Sequence, residues 1–406
     1  MFPIGKIRMV TGVMWLSANN QPVSHADLTP RQLVVIAPPE SRRVQALQNT
    51  LSTLNWPAAK TISYAQIMQG DAAVVSALQP DSILRLDSPG EDLATERLLL
   101  SLGGQADDAL CASQIADLDL EQGRLMPTRQ WYRGFSRFLQ RLQGQLPSVD
   151  TLPYRQTWQC DQVLAMFDKR VTQHRFLQAG LAIPGFLPTC SDYPQLRNAM
   201  KANGWRRVFI KLAHGSSATG TIALEVNGEK IQATTTIHIA VVNNELRLYN
   251  SRKLLRYRDE GQIARLFDFL ALNHPLQIER WLPKMGMENR AMDLRVVVTM
   301  GKATHALVRL GNGCITNLHL NGDRGNLDQL IGRLGDDRYQ ALLDLAERGF
   351  ACFPGALYAG MDVLVTTSGQ FALLEANAFG DYHRQIFCRG LDTYATQLLA
   401  IQEHSL

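Results

Sequence analysis

Two apolar runs near the carboxyl end of the chain, 361–365 and 371–377, carry acidic residues in positions typical of strand interiors. The first run contains Asp362. The second contains Glu375 and Asn377, which alternation along a strand places on one face. Buried acids are costly unless something pairs with them, and hard oxygen ligands suit Mg²⁺. The pattern therefore favours a metal-binding hairpin, although a hairpin with its acids on a solvated edge is equally compatible with these residues alone.

Length and charge bound the class of protein. The chain has 406 residues and a formal net charge of +4, without a dense Lys/Arg run. Neither nucleic acid nor an acidic membrane is expected as a partner, whereas a local basic pocket could hold a small acidic substrate. No apolar stretch approaches the roughly 20 residues of a membrane span. The six cysteines are scattered, which is typical of reduced thiols in a cytoplasmic protein.

Strand and helix patterns divide the chain into parts. Residues 1–30 are expected to form a flexible lead-in, and 31–150 an α/β domain with a mostly parallel sheet, because short apolar runs alternate there with helical patterns. The polar stretch 144–153, with two prolines, is typical of a linker. From about residue 160 the pattern changes to α+β, with antiparallel strands and segregated helices.

A strand lysine followed by a loop of small residues indicates phosphate binding. Lys211 precedes a loop whose Gly215, Ser216, Ser217 and Gly220 could offer backbone N–H and hydroxyl donors to polyphosphate, while the lysine supplies a point charge. The loop lacks the Gly-Lys-Ser/Thr ending of a Walker A motif. A flexible hairpin tip with a snorkelling lysine is the alternative.

Charged residues on later strands could line the same site. Glu279 lies in a strand that ends at a proline, and the backbone near Trp281 and Leu282 could form an adenine edge, or simply a sheet edge. Arg295 and Arg309 follow on two further strands, where guanidinium groups could clamp phosphate or carboxylate by paired hydrogen bonds. Taken one at a time, these are ordinary strand residues.

The order of these features resembles the ATP-grasp superfamily. A lysine at a helix start (Lys169), the strand lysine with its loop, the hinge acid, Asp-Leu-Arg at 293–295, Arg309, Thr-Asn-Leu-His at 316–319 and Asp…Glu-x-Asn follow one another over about 160–400. The branch containing glutathione synthetase and the ribosomal-protein S6 glutamate ligase is the most similar. The phrases at 85–90 and 377–381 look like a bacterial subgroup of the superfamily.

The resemblance implies two α+β subdomains that clasp ATP, preceded by the small parallel-sheet α/β domain. Subdomain 1, with a central lid, would span 160–275, and subdomain 2, with the metal site, 276–406. It also implies a role for each candidate residue. The phosphates would be contacted by Lys169, Lys211, Gly215, Ser216, Ser217 and Gly220, the adenine by Glu279, Trp281 and Leu282, and the ribose by Glu288. The metal ion would be Mg²⁺, for which Mn²⁺ could substitute, held by Asp362, Glu375 and Asn377. The catalytic residues would be Arg295, Arg309 and Asn317.

The implied reaction uses ATP to convert a carboxylate into an acyl phosphate, which an amine then attacks. Substrates would be small-molecule or peptide carboxylates and amines, and a homo-oligomer is compatible with the sequence. Two alternatives stay open: an ATP-grasp kinase that phosphorylates a small molecule, and a nucleotide-binding regulatory protein without turnover. The ligase and the kinase would need the same groups for binding ATP and Mg²⁺.

The chain departs from the family after Asn377, where a Ser-Pro-Gly turn is common and Ala-Phe-Gly-Asp stands instead. Asp381, His383 and Arg384 follow in this segment. They could line an acceptor pocket or cap the final helix, and capping is the expectation.

Overall fold

The computed structural model describes residues 30–70, 73–90, 92–105, 110–118, 123–242 and 245–403. The expected lead-in at 1–30 lies outside these residues except for its last position. Within the described ranges, no helix has the length and apolar character needed to cross a membrane.

A parallel sheet forms the amino-terminal unit. Its strands are β1 (Leu33–Ile36), β2 (Lys60–Ile62), β3 (Ser82–Leu86) and β4 (Tyr154–Gln156), in the order β2-β1-β3-β4. The accompanying helices are α1 (Arg42–Thr53), α2 (Tyr64–Met68), α3 (Ala73–Ala77), α4 (Leu93–Gly103), α5 (Ala112–Ala116) and α6 (Thr128–Gln145). The strands β1 and β3 are buried throughout, as expected for a sheet covered on both faces. The sheet includes β4, so this unit continues past the expected boundary at residue 150.

A second sheet is antiparallel and follows three helices. The helices are α7 (Cys160–Phe167), α8 (Lys169–Gln178) and α9 (Tyr193–Ala202). The strands are β5 (Arg207–Leu212), β6 (Ile222–Asn227), β7 (Lys230–Val242), β8 (Glu245–Tyr257) and β9 (Leu276–Arg280), in the order β8-β7-β6-β5-β9, with α10 (Glu260–Asn273) before β9. Apolar residues of α9 and α10 bury one face of this sheet.

The third sheet is also antiparallel and contains the predicted hairpin. Its strands are β10 (Gly286–Met287), β11 (Arg290–Thr299), β12 (Lys302–Leu310), β13 (Asp323–Arg324), β14 (Tyr358–Val365) and β15 (Phe371–Asn377), in the order β13-β12-β11-β14-β15, with β10 paired to β11. The helices α11 (Leu327–Leu334) and α12 (Asp336–Phe350) pack on it. Helices α7 and α8 pack on β15 of this sheet, and Gln173 of α8 also hydrogen-bonds Glu279 and Gln277 of β9 in the second sheet.

The final helix, α13 (Thr393–Glu403), joins the core of the amino-terminal unit. Its Tyr394, Leu398 and Ile401 are buried together with residues of β1 and α1 such as Val35 and Leu47. Helix α13 also contacts β11 and β12. The final helix therefore links the first and third sheets, instead of belonging to the third-sheet unit alone as expected for 276–406.

Candidate functional site

Strands of both antiparallel sheets contribute to one cavity of about 540 Å³, a volume within the range of small-molecule sites. Seven Lys or Arg and four Asp or Glu residues line it, so its wall favours an anionic ligand. Most of the predicted site residues belong to this wall: Lys169, Lys211, Gly215, Ser216, Ser217, Glu279, Leu282, Arg295, Arg309, Asn317, Asp362, Glu375 and Asn377.

The strand lysine and the hinge acid form a buried pair. The Nζ atom of Lys211 lies 2.6 Å from Oε2 of Glu279, and the other carboxylate oxygen accepts from Nε2 of Gln173 at 2.6 Å. Burial alone would lower the pKa of Lys211, but Glu279 and Glu375 outweigh it and raise that pKa. Lys211 is therefore a permanent positive charge on the cavity wall.

The second lysine links the small-residue loop to the hairpin. Lys169 begins α8, where Asp168 caps the helix by accepting from Arg170 N at 2.9 Å. Its Nζ donates to the carbonyl of Gly215 at 2.8 Å and lies 3.0 Å from Oε2 of Glu375. One cation thus contacts both the loop and the candidate metal site.

The loop after Lys211 follows a path that depends on glycine. The φ angles of Ser217 and Gly220 are positive, 52° and 66°. Glycine adopts such angles without cost, so the backbone at position 220 suits the glycine found there. A Cβ atom on Gly220 would lie 2.6 Å from Cδ1 of Leu212. Gly220 is outside the cavity wall and shapes the loop, whereas Gly215, Ser216 and Ser217 are in the wall.

The hairpin brings its three polar residues together through alternation along β15 and a β-bulge next to Asp362. Asp362 on β14 stands opposite Glu375 on β15, and Asn377 lies two residues further on the same strand. Burial and the Glu375 charge raise the pKa of Asp362, against the opposing effect of Arg295 and Arg309. Burial would raise the pKa of Glu375 too, but Lys169 and Lys211 hold it well below its usual range.

The donor set of this hairpin fits Mg²⁺ bound together with a phosphate. Among the described residues, no group of three or more His, Cys, Asp or Glu side chains is placed so that it could hold a metal ion by itself. The protein would therefore supply the carboxylates of Asp362 and Glu375 and the amide of Asn377. Mg²⁺ is commonly held by one or two carboxylates together with phosphate oxygens and water, and this set of side chains matches that chemistry.

Two arginines neutralise the Asp362 side of the site. Arg295 donates to Asp362 through Nε and, at 3.1 Å, through Nη2. Arg309 lies 3.0 Å from the same carboxylate and donates to Asp293 Oδ1 at 2.7 Å. Burial would raise the pKa of Asp293, but Arg309 and Lys284 lower it to about 2. Both guanidinium groups are thus fixed beside the hairpin, where they could contact an anionic group of a bound ligand.

Besides Gly220, two predicted residues, Trp281 and Glu288, lie outside the cavity wall. Trp281 lies outside the cavity wall, with its ring 5.1 Å from that of Phe209 and its backbone N–H donating to Arg207 O at 3.1 Å. Glu288 is exposed in the turn between β10 and β11 with a φ of 53°, so the structure does not bring it to the cavity. Asn317 lines the cavity, where its side chain accepts from His319 N at 2.8 Å.

Sequence reasoning missed Lys284, which lines the cavity and lies 3.1 Å from Asp293 Oδ2. Thr316 also donates to this carboxylate. Lys284 stands between Pro283 and the β10–β11 hairpin, so only the pairing of that hairpin with the sheet brings it to the site. Its charge was the one available signal.

The expectation that Asp381 caps the final helix is wrong. Asp392 caps α13 by accepting from Ala395 N at 2.7 Å. Asp381 is fully buried and lies 2.5 Å from Arg43 Nη2 and 2.6 Å from Arg85 Nη2. His383 lines the cavity, and Arg384 is exposed with its carbonyl accepting from Arg324 at 2.6 Å.

Comparison with known proteins gives structural matches alone. No protein-family model and no curated protein matches the sequence. The ATP-grasp ligase PsnB in complex with a minimal precursor matches at 12% identity over 93% of this chain and 100% of its own, with a TM-score of 0.51. The D-cycloserine synthetase DcsG matches at 11% identity over 92% of this chain and 100% of its own, with a TM-score of 0.53. PurK, an N5-carboxyaminoimidazole ribonucleotide synthetase in its ADP complex, matches at 11% identity over 93% of this chain and 78% of its own, with a TM-score of 0.54.

These matches, together with the three sheets, show that the chain has the ATP-grasp fold. The expected fold class, a parallel-sheet α/β unit followed by α+β units, is confirmed. At 11–12% identity the likeness shows the fold alone.

Proposed function

We propose that the chain is an ATP- and Mg²⁺-dependent ligase that joins a carboxylate to an amine through an acyl phosphate. The observation that carries the proposal is the convergence of Lys169, Lys211, Arg295 and Arg309 on the carboxylates of Asp362 and Glu375 in one cavity. Phosphoryl transfer depends on positioning and charge neutralisation rather than on a protein nucleophile. This set of residues meets that requirement.

In the proposed reaction, a substrate carboxylate oxygen attacks the γ-phosphorus and the bond to the β-phosphate oxygen breaks, releasing ADP. The amine nitrogen then attacks the acyl carbon, the carbon–oxygen bond to phosphate breaks, and the nitrogen loses its proton. Lys169 and Lys211 would hold the phosphates, and Arg295 and Arg309 would stabilise charge on the transferring group. Mg²⁺, when bound by Asp362, Glu375 and Asn377, neutralises phosphate charge.

The test is ADP release from Mg-ATP in the presence of paired carboxylates and amines, with mass spectrometry of the products. We expect ADP release to depend on the amine and to accompany an amide. A phosphorylated product without an amine requirement would show a kinase instead. Nucleotide binding without turnover under any pairing would show a regulatory protein.

Lys169→Ala is expected to raise the Kd for Mg-ADP by about tenfold or more, because one charge-assisted phosphate contact is lost along with the bond to Gly215. Calorimetric titration measures this directly. The matched control is Lys302→Ala, since Lys302 also faces a glutamate, Glu347 at 3.6 Å, but is outside the cavity wall. If the two variants bind Mg-ADP with equal affinity, Lys169 does not contact the phosphates.

A further inference from the structure

One part of the cavity wall is aromatic. Trp131, Phe167 and Phe379 all line the cavity and are only partly buried. The ring of Phe167 lies 5.8 Å from that of Trp131 and 5.8 Å from that of Phe379. Trp131 donates its Nε1–H to Glu96 at 2.9 Å. Its polar atom is thus satisfied by the protein, and the indole offers apolar surface to the cavity.

The charged groups beside this aromatic wall are satisfied by each other. Arg43 also lines the cavity, but each of its three nitrogens donates to the protein: Nε to Asp87, Nη1 to the carbonyl of Phe379 at 3.0 Å, and Nη2 to Asp381 at 2.5 Å. The second oxygen of Asp381 accepts from Arg85 at 2.6 Å. Arg43 therefore holds the backbone of Phe379 in place, and its charge faces the two carboxylates of Asp87 and Asp381.

One polar atom on this side of the cavity has no such partner. Nε2 of His383 is buried and makes no hydrogen bond with any described residue. Burial and the neighbouring Arg295 lower the pKa of His383 to about 3, so the imidazole is neutral near pH 7. An unsatisfied buried polar group is destabilising, and a polar group of a bound ligand would supply the missing hydrogen bond.

The aromatic wall adjoins the candidate reaction centre. Gly380 follows Phe379, and a Cβ atom placed on it would lie 2.8 Å from Nη1 of Arg295 and 2.9 Å from Cβ of Asn377. Only a glycine at this position lets the segment carrying Phe379 approach the arginine and the metal ligand so closely. A ligand on the rings would thus have its reactive end next to the phosphoryl group.

We propose that Trp131, Phe167 and Phe379 form the subsite for an aromatic or bulky apolar side chain of one of the two substrates, with His383 meeting a polar group beside it. This assignment rests on the proposed ligase function and adds the chemical class of its substrate. Apolar walls with few placed polar groups are typical of small-molecule sites, and aromatic rings contribute large apolar contact areas.

Free amino acids test the subsite because each carries both a carboxylate and an amine. Calorimetric titrations in the presence of Mg-ADP would compare phenylalanine and leucine with glutamate and lysine. We expect phenylalanine and leucine to bind at least about tenfold more tightly than the charged pair, as apolar pockets discriminate by factors of this size. Phe379→Ala should raise the Kd for phenylalanine about tenfold and leave the Kd for Mg-ADP unchanged.

The matched control is Phe387→Ala, because Phe387 lies in the same connection to α13 but is 63% exposed and outside the cavity wall. Phe379→Leu, which keeps an apolar side chain, replaces Phe379→Ala if the latter unfolds. Three results would overturn the subsite: tighter binding of glutamate or lysine, no binding of any of the four amino acids, or a loss of Mg-ADP affinity in the Phe379 variant as large as its loss of phenylalanine affinity. Product analysis separates the two proposals: amides formed from charged amino acids support the ligase alone, and apolar binding without amide supports the subsite alone.

Discussion

Glu375→Ala is expected to lower Mg²⁺-dependent ATP turnover by about a thousandfold while the protein stays folded. The substitution removes one of two carboxylates from the proposed metal site and leaves Lys169 without its partner at 3.0 Å. Losing one preorganised electrostatic contact to a transition state typically costs a factor of about 10²–10³. ADP release at saturating ATP and Mg²⁺ measures the loss, with circular dichroism as the check on folding.

A second measurement separates a lost metal site from a lost active conformation. In the natural protein, Mg²⁺ should tighten ADP binding, and in the Glu375→Ala variant this dependence on Mg²⁺ should largely disappear. The control is Glu225→Ala, since Glu225 pairs with Arg207 outside the cavity wall. Normal turnover by a folded Glu375→Ala protein would eliminate the metal site proposed for this hairpin.

Asp381→Ala is expected to lower the free energy of unfolding by about 3–5 kcal/mol, the usual cost of removing one partner from a buried ion pair. Asp381 is fully buried and accepts from Arg43, Arg85 and Gln397. Without it, the two guanidinium groups lose a shared counter-charge inside the protein. Urea unfolding followed by circular dichroism measures the change.

The control for this substitution is Asp344→Ala, an exposed aspartate that accepts a hydrogen bond from Gln340 Nε2 at 2.8 Å. A surface change of this kind alters the free energy of unfolding by roughly 0.5 kcal/mol or less. If both aspartate variants unfold alike, the buried network does not stabilise the fold.

The stability contributed by Asp381 should depend on pH in a defined direction. Burial would raise the pKa of Asp381, but Arg43 and Arg85 hold it well below its usual range. A carboxylate with a depressed pKa in the folded state stabilises the fold above the unfolded pKa of about 3.9 and loses that effect as the pH falls below it. The gap between the natural protein and Asp381→Ala should be full at pH 6 and narrower at pH 3, and a constant gap would contradict this assignment.

The hairpin was predictable because strand alternation is a local rule. Glu375 and Asn377 lie on one face by this rule, but the pairing of Asp362 with Glu375 also depends on a β-bulge between Asp362 and Val363, which the sequence did not indicate. The pair Lys211–Glu279 was not predictable, because it depends on which strands neighbour each other: β5 pairs with β9 across 68 residues. Their roles in nucleotide binding stay predictions, as do those of the other site residues.

Two departures from expectation have identifiable local causes. Glu288 and Asn289 both have positive φ angles, 53° and 58°, which is typical of a two-residue hairpin turn and places Glu288 at the exposed tip. Asp392 immediately precedes α13 and is the natural cap. Both signals were present in the sequence, whereas the burial of Asp381 with Arg43 and Arg85 required contacts across about 300 residues.

The packing of α13 against β1 and α1 has a consequence for how the protein acquires its structure during synthesis. Leu398 and Ile401, which share a hydrophobic core with Leu33 and Val35 of β1, leave the ribosome more than 360 residues after them. Contacts of such long sequence separation slow folding, and uncovered apolar surface is prone to aggregate. This face of the amino-terminal sheet is therefore covered only in part, by α1, until the segment that forms α13 has been synthesised.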